Sequence, residues 1–145
     1  MTRLKPSSAD RSPLPRLRVR LEQMAPALGD PHANRKTLEK AVRSADADVV
    51  LFPELALTGY ALGHRARELG LPLDGAPPLS LPGGSAVAVF GLVERGEDHL
   101  TYNSAVAVRG DAILAAHRKI YLPTYGTYDE GRIFGATFSS TPEGE

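Results

Sequence analysis

The chain, 145 residues long, is predicted to fold as an α/β or α+β layered domain built on a mixed sheet. Three observations carry that expectation. An alternating run, a helical run and an apolar run follow one another over residues 16–52, the strand–helix–strand order of parallel neighbours. Three β-patterned runs then occupy residues 86–122, joined by tight turns as in an antiparallel meander. Apolar residues make up 42% and charged residues 23%, and a chain of this size buries about 70% of its unfolded surface, enough for one core.

Element by element, residues 1–15 are rich in Pro, Ser and charge and read as a disordered leader, with a transit peptide as the alternative. "RLRVRLEQMAP" alternates, with Leu17, Val19 and Leu21 on one face and arginines on the other, as in a half-buried strand. Asp30 can cap a helix that Pro31 begins, and Leu38, Ala41, Val42 and Ala45 recur at helical spacing. "ADVVLF" is apolar on both faces, which predicts a strand covered on both sides. Residues 61–69 suit a short helix, and residues 70–86, with four prolines, suit a loop. "AVAVFGLVER" and "LTYNSAVAVRG" form a hairpin, and "DAILAAHRKIYL" a further strand after the Gly110-Asp111 turn. "PTYGTYDEGRIFG" is loop, and residues 139–145 a flexible tail.

Composition narrows the function classes. Lys plus Arg and Asp plus Glu number 17 each, a zero balance that argues against nucleic acid or an anionic membrane as partner. No apolar stretch approaches the ~20 residues a bilayer demands, and no signal peptide is visible, so a cytoplasmic location is expected. With no cysteine, disulfides and thiol chemistry from these residues are excluded. The four histidines lack metal-ligand spacing, so no metal or cofactor is expected. "LPGGS" lacks the Lys-Ser/Thr of a phosphate loop, and Ser104 and Thr124 lack the G-x-S-x-G setting of a serine nucleophile.

Two charged residues stand out. In "LFPELALTGY", Pro53 ends strand pairing and Glu54 leaves the C-terminal end of the strand, where open α/β sheets bind ligands. An apolar setting disfavours the charged form of a carboxylate and so suits it to general-base work. The competing role for Glu54 is to cap a following helix or pair with an arginine. In "HRKIYLPTYG", strand parity puts Lys119 and His117 on one face and Arg118 on the other. A lysine beside Ile120 and Tyr121 is either partly desolvated, and then needs a carboxylate partner, or snorkels to water.

"LFPELALTGY" and "YNSAVAV…HRKIYLPTYGTYDEGRIF", together with Gln23, Gly29-Asp30 and Asn34, resemble the nitrilase superfamily, the carbon–nitrogen hydrolases, from Val19 to Phe138. The resemblance implies a four-layer αββα sandwich. Of this, residues 16–138 supply only about the N-terminal half, a mixed sheet with helices on one face. It implies a Glu-Lys-Cys catalytic set in which the cysteine attacks the substrate, the lysine stabilises the developing negative charge and the glutamate is the general base. Glu54 and Lys119 match the first two positions. Glu130 matches a further active-site glutamate, with pairing to Arg132 as the competing role. Tyr60 and Tyr125 either line the pocket or are core or rim aromatics.

The implied function is hydrolysis of non-peptide carbon–nitrogen bonds in a small-molecule amide or nitrile. The cysteine is missing, so a fragment, one chain of a two-chain enzyme or a degenerate member are all compatible, and the intact Glu and Lys settings favour the fragment. A half sandwich exposes the inner face of its sheet, which predicts a homo-oligomer, a complementing chain or aggregation. The alternative is a non-catalytic binding or assembly module that pairs through that face.

Overall fold

The computed structural model describes residues 16–126 and 128–136; the expected leader and tail lie outside them. Five strands form one sheet, in the order β1 (Val19–Leu21), β2 (Val49–Leu51), β3 (Val87–Arg95), β4 (Thr101–Arg109) and β5 (Ala112–Arg118). Strands β1, β2 and β3 are parallel, with Val19 opposite Val49 and Val49 opposite Val87; β3, β4 and β5 are antiparallel. The mixed sheet expected from the two halves of the sequence is therefore present.

Helix α1 (Pro31–Arg43) makes the crossover between β1 and β2. It starts where predicted: the Asp30 carboxylate accepts the Ala33 N–H at 3.0 Å, and Pro31 occupies the first turn, where its missing donor costs nothing. Its buried side chains are Asn34, Leu38, Ala41 and Val42. The three apolar ones pack on Val50, Phe52, Ala88, Phe90, Leu92, Val106 and Val108, alternate residues along the three central strands and just past β2, to make the main core. A second cluster at the far end of β3 joins Leu55, Leu62, Ala66, Val93 and Phe134. It fastens two one-turn helices there, α2 (Ala66–Leu69), which follows a 3₁₀ turn at Gly63–Arg65, and α3 (Glu130–Ile133).

Three expectations are corrected. Leu17, Val19 and Leu21 do not face a core; all three are exposed, Leu21 by 74%. Likewise β2 is covered on one side only: Val50 is buried under α1 while Leu51 on the other face is exposed. The reason is common to both. Helix α1 fills one face of the sheet, and among the described residues nothing covers the opposite face at β1 and β2. Strand β5 also stops at Arg118 rather than running to Leu122. The next carbonyl along β4 that it needs, on Thr101, is taken by the Gly135 N–H at 2.7 Å.

Candidate active site

Glu54 is placed by a tight turn lying on the sheet. Phe52 makes the last ladder bond to β3, Phe52 N–H to Val89 O at 2.9 Å, and Pro53 has no donor with which to continue it. The chain then reverses through Leu55, whose backbone sits in the left-handed region at φ 50°, a costly conformation for leucine. The Leu55 carbonyl accepts from Thr58 and Gly59 at 3.1 and 2.7 Å. The turn crosses directly over Gly91 of β3, where a Cβ would stand 2.2 Å from the Leu55 nitrogen. The Leu57 N–H bonds the Gly91 carbonyl at 3.0 Å, and buried Asn34 donates to the Leu57 carbonyl at 3.0 Å.

Lys119 lies one residue beyond β5, its N–H bonded to the Asn103 carbonyl at 2.7 Å. By alternation it projects from the face opposite α1, as His117 does. Its ammonium donates to Glu54 Oε1 at 2.8 Å and to Glu130 Oε1 at 3.2 Å, and stands 3.0 Å from Glu130 Oε2. Asn103 donates from Nδ2 to Glu54 Oε1 at 2.7 Å. Tyr60 donates from its hydroxyl to Glu130 Oε1 at 2.7 Å. Helix α3 begins at Glu130 and holds that carboxylate nearly buried, 6% exposed, where a carboxylate needs donors such as these two. Glu54 is 46% exposed at the mouth of the site, rather than enclosed by apolar groups.

Four of the five residues singled out from the sequence thus meet in one cluster: Glu54, Lys119, Glu130 and Tyr60. Arg132 pairs with Asp129 and not with Glu130. Tyr125 stands apart; it is exposed and packs edge-on against Tyr128, ring centroids 6.0 Å apart. The sequence reading assigned no role to Asn103 or Gly91. The available signal for Asn103 was a lone amide inside the apolar strand pattern of "YNSAVAV". A separate buried carboxylate, Glu94 on β3, also went unremarked. It accepts from Ser104 and from Arg118, and the Arg118 guanidinium lies 3.8 Å from the Tyr102 ring centroid.

Electrostatics keep the two donors Lys119 and Tyr60 protonated. Desolvation pulls the Lys119 pKa down, but the hydrogen bonds to Glu54 and Glu130 outweigh it and hold the value above that of an ordinary lysine. Lys119 is therefore a permanent cation near neutral pH, suited to charge stabilisation and unsuited to proton abstraction. The hydrogen bond to Glu130, burial and the nearby carboxylates raise the Tyr60 pKa, so the phenol remains a donor. Beside the cluster opens a cavity of about 580 Å³, lined by Leu51, Val89, Gly91, Ala105, His117 and Ile120, with Glu54, Asn103 and Lys119 as its polar end. Among the described residues no group of His, Asp and Glu has metal-holding geometry, and no helix is long and apolar enough to cross a membrane.

Against known proteins, the sequence profile of the family described as carbon–nitrogen hydrolase matches residues 18–144. A glutamine-dependent NAD(+) synthetase from Thermotoga maritima is 35% identical over 127 residues, which is 82% of this chain and 22% of the synthetase. The solved glutamine-dependent NAD+ synthetase of Acinetobacter baumannii, in complex with ADP, superimposes with a TM-score of 0.69 at 27% identity, over 84% of this chain and 24% of that one. An N-terminal amidase solved with a Gln-Val peptide gives a TM-score of 0.66 at 23% identity over 83% of this chain and 31% of the amidase, a likeness of fold alone. The chain thus spans less than a quarter of the length of these synthetases.

Proposed function

The chain belongs to the carbon–nitrogen hydrolase family and has its nitrilase-like α/β fold, and from that premise we propose that it carries the general base and the charge-stabilising cation of an amide-hydrolysing site. Lys119 held between Glu54 and Glu130 at the polar end of an open cavity is the observation that carries this. The substrate is a primary amide, and the glutamine side chain is the first candidate because the synthetases this chain resembles are glutamine-dependent. The missing nucleophile is a cysteine from the remainder of the domain, either further along the same polypeptide or on a complementing chain. Residues 16–138 are then the N-terminal portion of that domain, and the whole protein works in the cytoplasm.

The geometry supports the following division of roles. Glu54 takes the thiol proton as sulfur attacks the amide carbon, so that the negative charge moves to the carbonyl oxygen. Lys119 faces that oxygen and lowers the barrier electrostatically. Collapse of the tetrahedral intermediate breaks the C–N bond, and Glu54 returns the proton to the leaving ammonia. Water, deprotonated by Glu54, then cleaves the thioester to give a carboxylic acid and the free thiol. Glu130 takes no proton; with the Tyr60 hydroxyl it holds the Lys119 ammonium in place and charged.

The test is a glutaminase assay on the domain completed with its cysteine-bearing portion. Turnover is expected, with Glu54→Gln and Lys119→Ala each reducing kcat by about 10³-fold or more. Unchanged turnover in both variants overturns the assignment. A second reading, a non-catalytic module that pairs through the sheet face opposite α1, is favoured by the exposed Leu21 and Leu51 and the absence of cysteine from the chain. A completed domain that folds but hydrolyses no amide supports that reading instead.

A further inference from the structure

Two donors converge on one oxygen of Glu54. Asn103 Nδ2 and Lys119 Nζ reach Oε1 at 2.7 and 2.8 Å, and among the described residues Oε2 accepts no hydrogen bond. Asn103 is itself fixed. It is 5% exposed near the start of β4, paired with Val93 of β3, and its carbonyl accepts the Lys119 N–H at 2.7 Å. One residue therefore holds both partners of the ion pair, Lys119 by its backbone and Glu54 by its side chain. Glu54, by contrast, stands half in water on a turn, with a long side chain that has rotamers to lose.

We infer that Asn103 is the positioning residue of the site: its amide locks Glu54 in one rotamer, sequesters Oε1, and leaves Oε2 as the oxygen that exchanges protons. Lys119 alone cannot make that selection, because a single ammonium bridges either oxygen of a carboxylate equally well, and Lys119 also serves Glu130. The planar amide of Asn103, anchored in the sheet, supplies a donor from a fixed direction. A proton-transfer group that must reach both a thiol and a water gains from having one oxygen held in a constant place. This inference rests on the hydrolase reading for its purpose but not for its geometry.

The test is nuclear magnetic resonance on the 145-residue chain. In the unaltered protein, three-bond couplings across Glu54 χ1 and χ2 should report one rotamer. The Asn103 side-chain amide signal should move in Glu54→Gln and stay in place in Glu130→Gln. In Asn103→Ala, and in the near-isosteric Asn103→Asp where no donor remains, the Glu54 couplings should collapse to averaged values. A Glu54 that keeps one rotamer in these variants overturns the inference. So does an Asn103 amide signal indifferent to Glu54→Gln, a measurement that decides the matter even if neither Asn103 variant folds. None of these readouts depends on turnover, so an inactive completed domain with locked couplings refutes the hydrolase reading alone.

Discussion

Gly91→Ala is the smallest change expected to disturb both the fold and the site. The added methyl carbon would lie 2.2 Å from the Leu55 nitrogen, 3.0 Å from the Glu54 carbonyl carbon and 3.1 Å from Glu54 Cα. All three are backbone atoms, so no side chain can rotate away. Restoring an ordinary contact of about 3.5 Å to the nitrogen requires the turn to lift by roughly 1 Å. That lift stretches the Leu57-to-Gly91 and Asn34-to-Leu57 bonds, both 3.0 Å, and works against a turn already strained at Leu55. Overpacking of this kind costs about 1–3 kcal/mol, and the two stretched hydrogen bonds together add about 1 kcal/mol, giving a loss of roughly 2–4 kcal/mol. The same displacement carries Glu54 away from Lys119 and Asn103. A misplacement of about 1 Å corresponds to a drop of roughly 10²-fold in turnover of the completed domain. Urea unfolding of parent and variant, followed by circular dichroism, measures the stability term. A variant within 0.5 kcal/mol of the parent, on the scale of an ordinary surface substitution, would show that the turn does not rest on Gly91, and the account of how Glu54 is aimed would fail with it.

Other consequences are open to measurement. Lys119 should react with amine-directed acylating reagents more slowly than the other lysines at pH 8–9, because its pKa is raised. Its contribution to stability should be complete below the pKa of an unfolded lysine and fade as pH rises through the higher folded value; labelling at the common lysine rate contradicts the ion-pair geometry. Tyr60→Phe removes a donor from the buried Glu130 carboxylate and should cost about 1 kcal/mol in chemical denaturation; no loss means that water replaces the phenol at no cost. The chain should bind a hydrophobic dye and self-associate through the sheet face opposite α1. The double change Leu21→Ser and Leu51→Ser should reduce both effects while altering stability by less than about 1 kcal/mol, since both side chains are exposed. A monomeric parent with no dye binding contradicts this.

Most of the layout could be read from local pattern. The Asp30 cap, the Pro31 start and the spacing of Leu38, Ala41 and Val42 define α1 because capping and amphipathicity act within a few residues of chain. The β3–β4–β5 meander follows from alternation and from the Gly110-Asp111 turn. Glu54 and Lys119 were legible as an anion and a cation at strand ends. The Leu55 turn was not, because nothing in the residue type of leucine signals a left-handed backbone; the surrounding packing imposes it.

The sequence by itself determined which residues alternate and which recur every third or fourth position, and hence five strands, a crossover helix and the polar residues at their ends. Only the tertiary structure decided which face of each strand is covered, and which polar residues meet. Leu21 and Val50 look alike in sequence, yet one is exposed and the other wholly buried, because α1 reaches only one side of the sheet. Glu54, Asn103, Lys119 and Glu130 come together because parallel and antiparallel pairing bring the ends of β2 and β5 to either side of β3 and β4. Local propensity acts over a few residues, whereas burial and ion pairing depend on distances that the chain closes only when the sheet is formed.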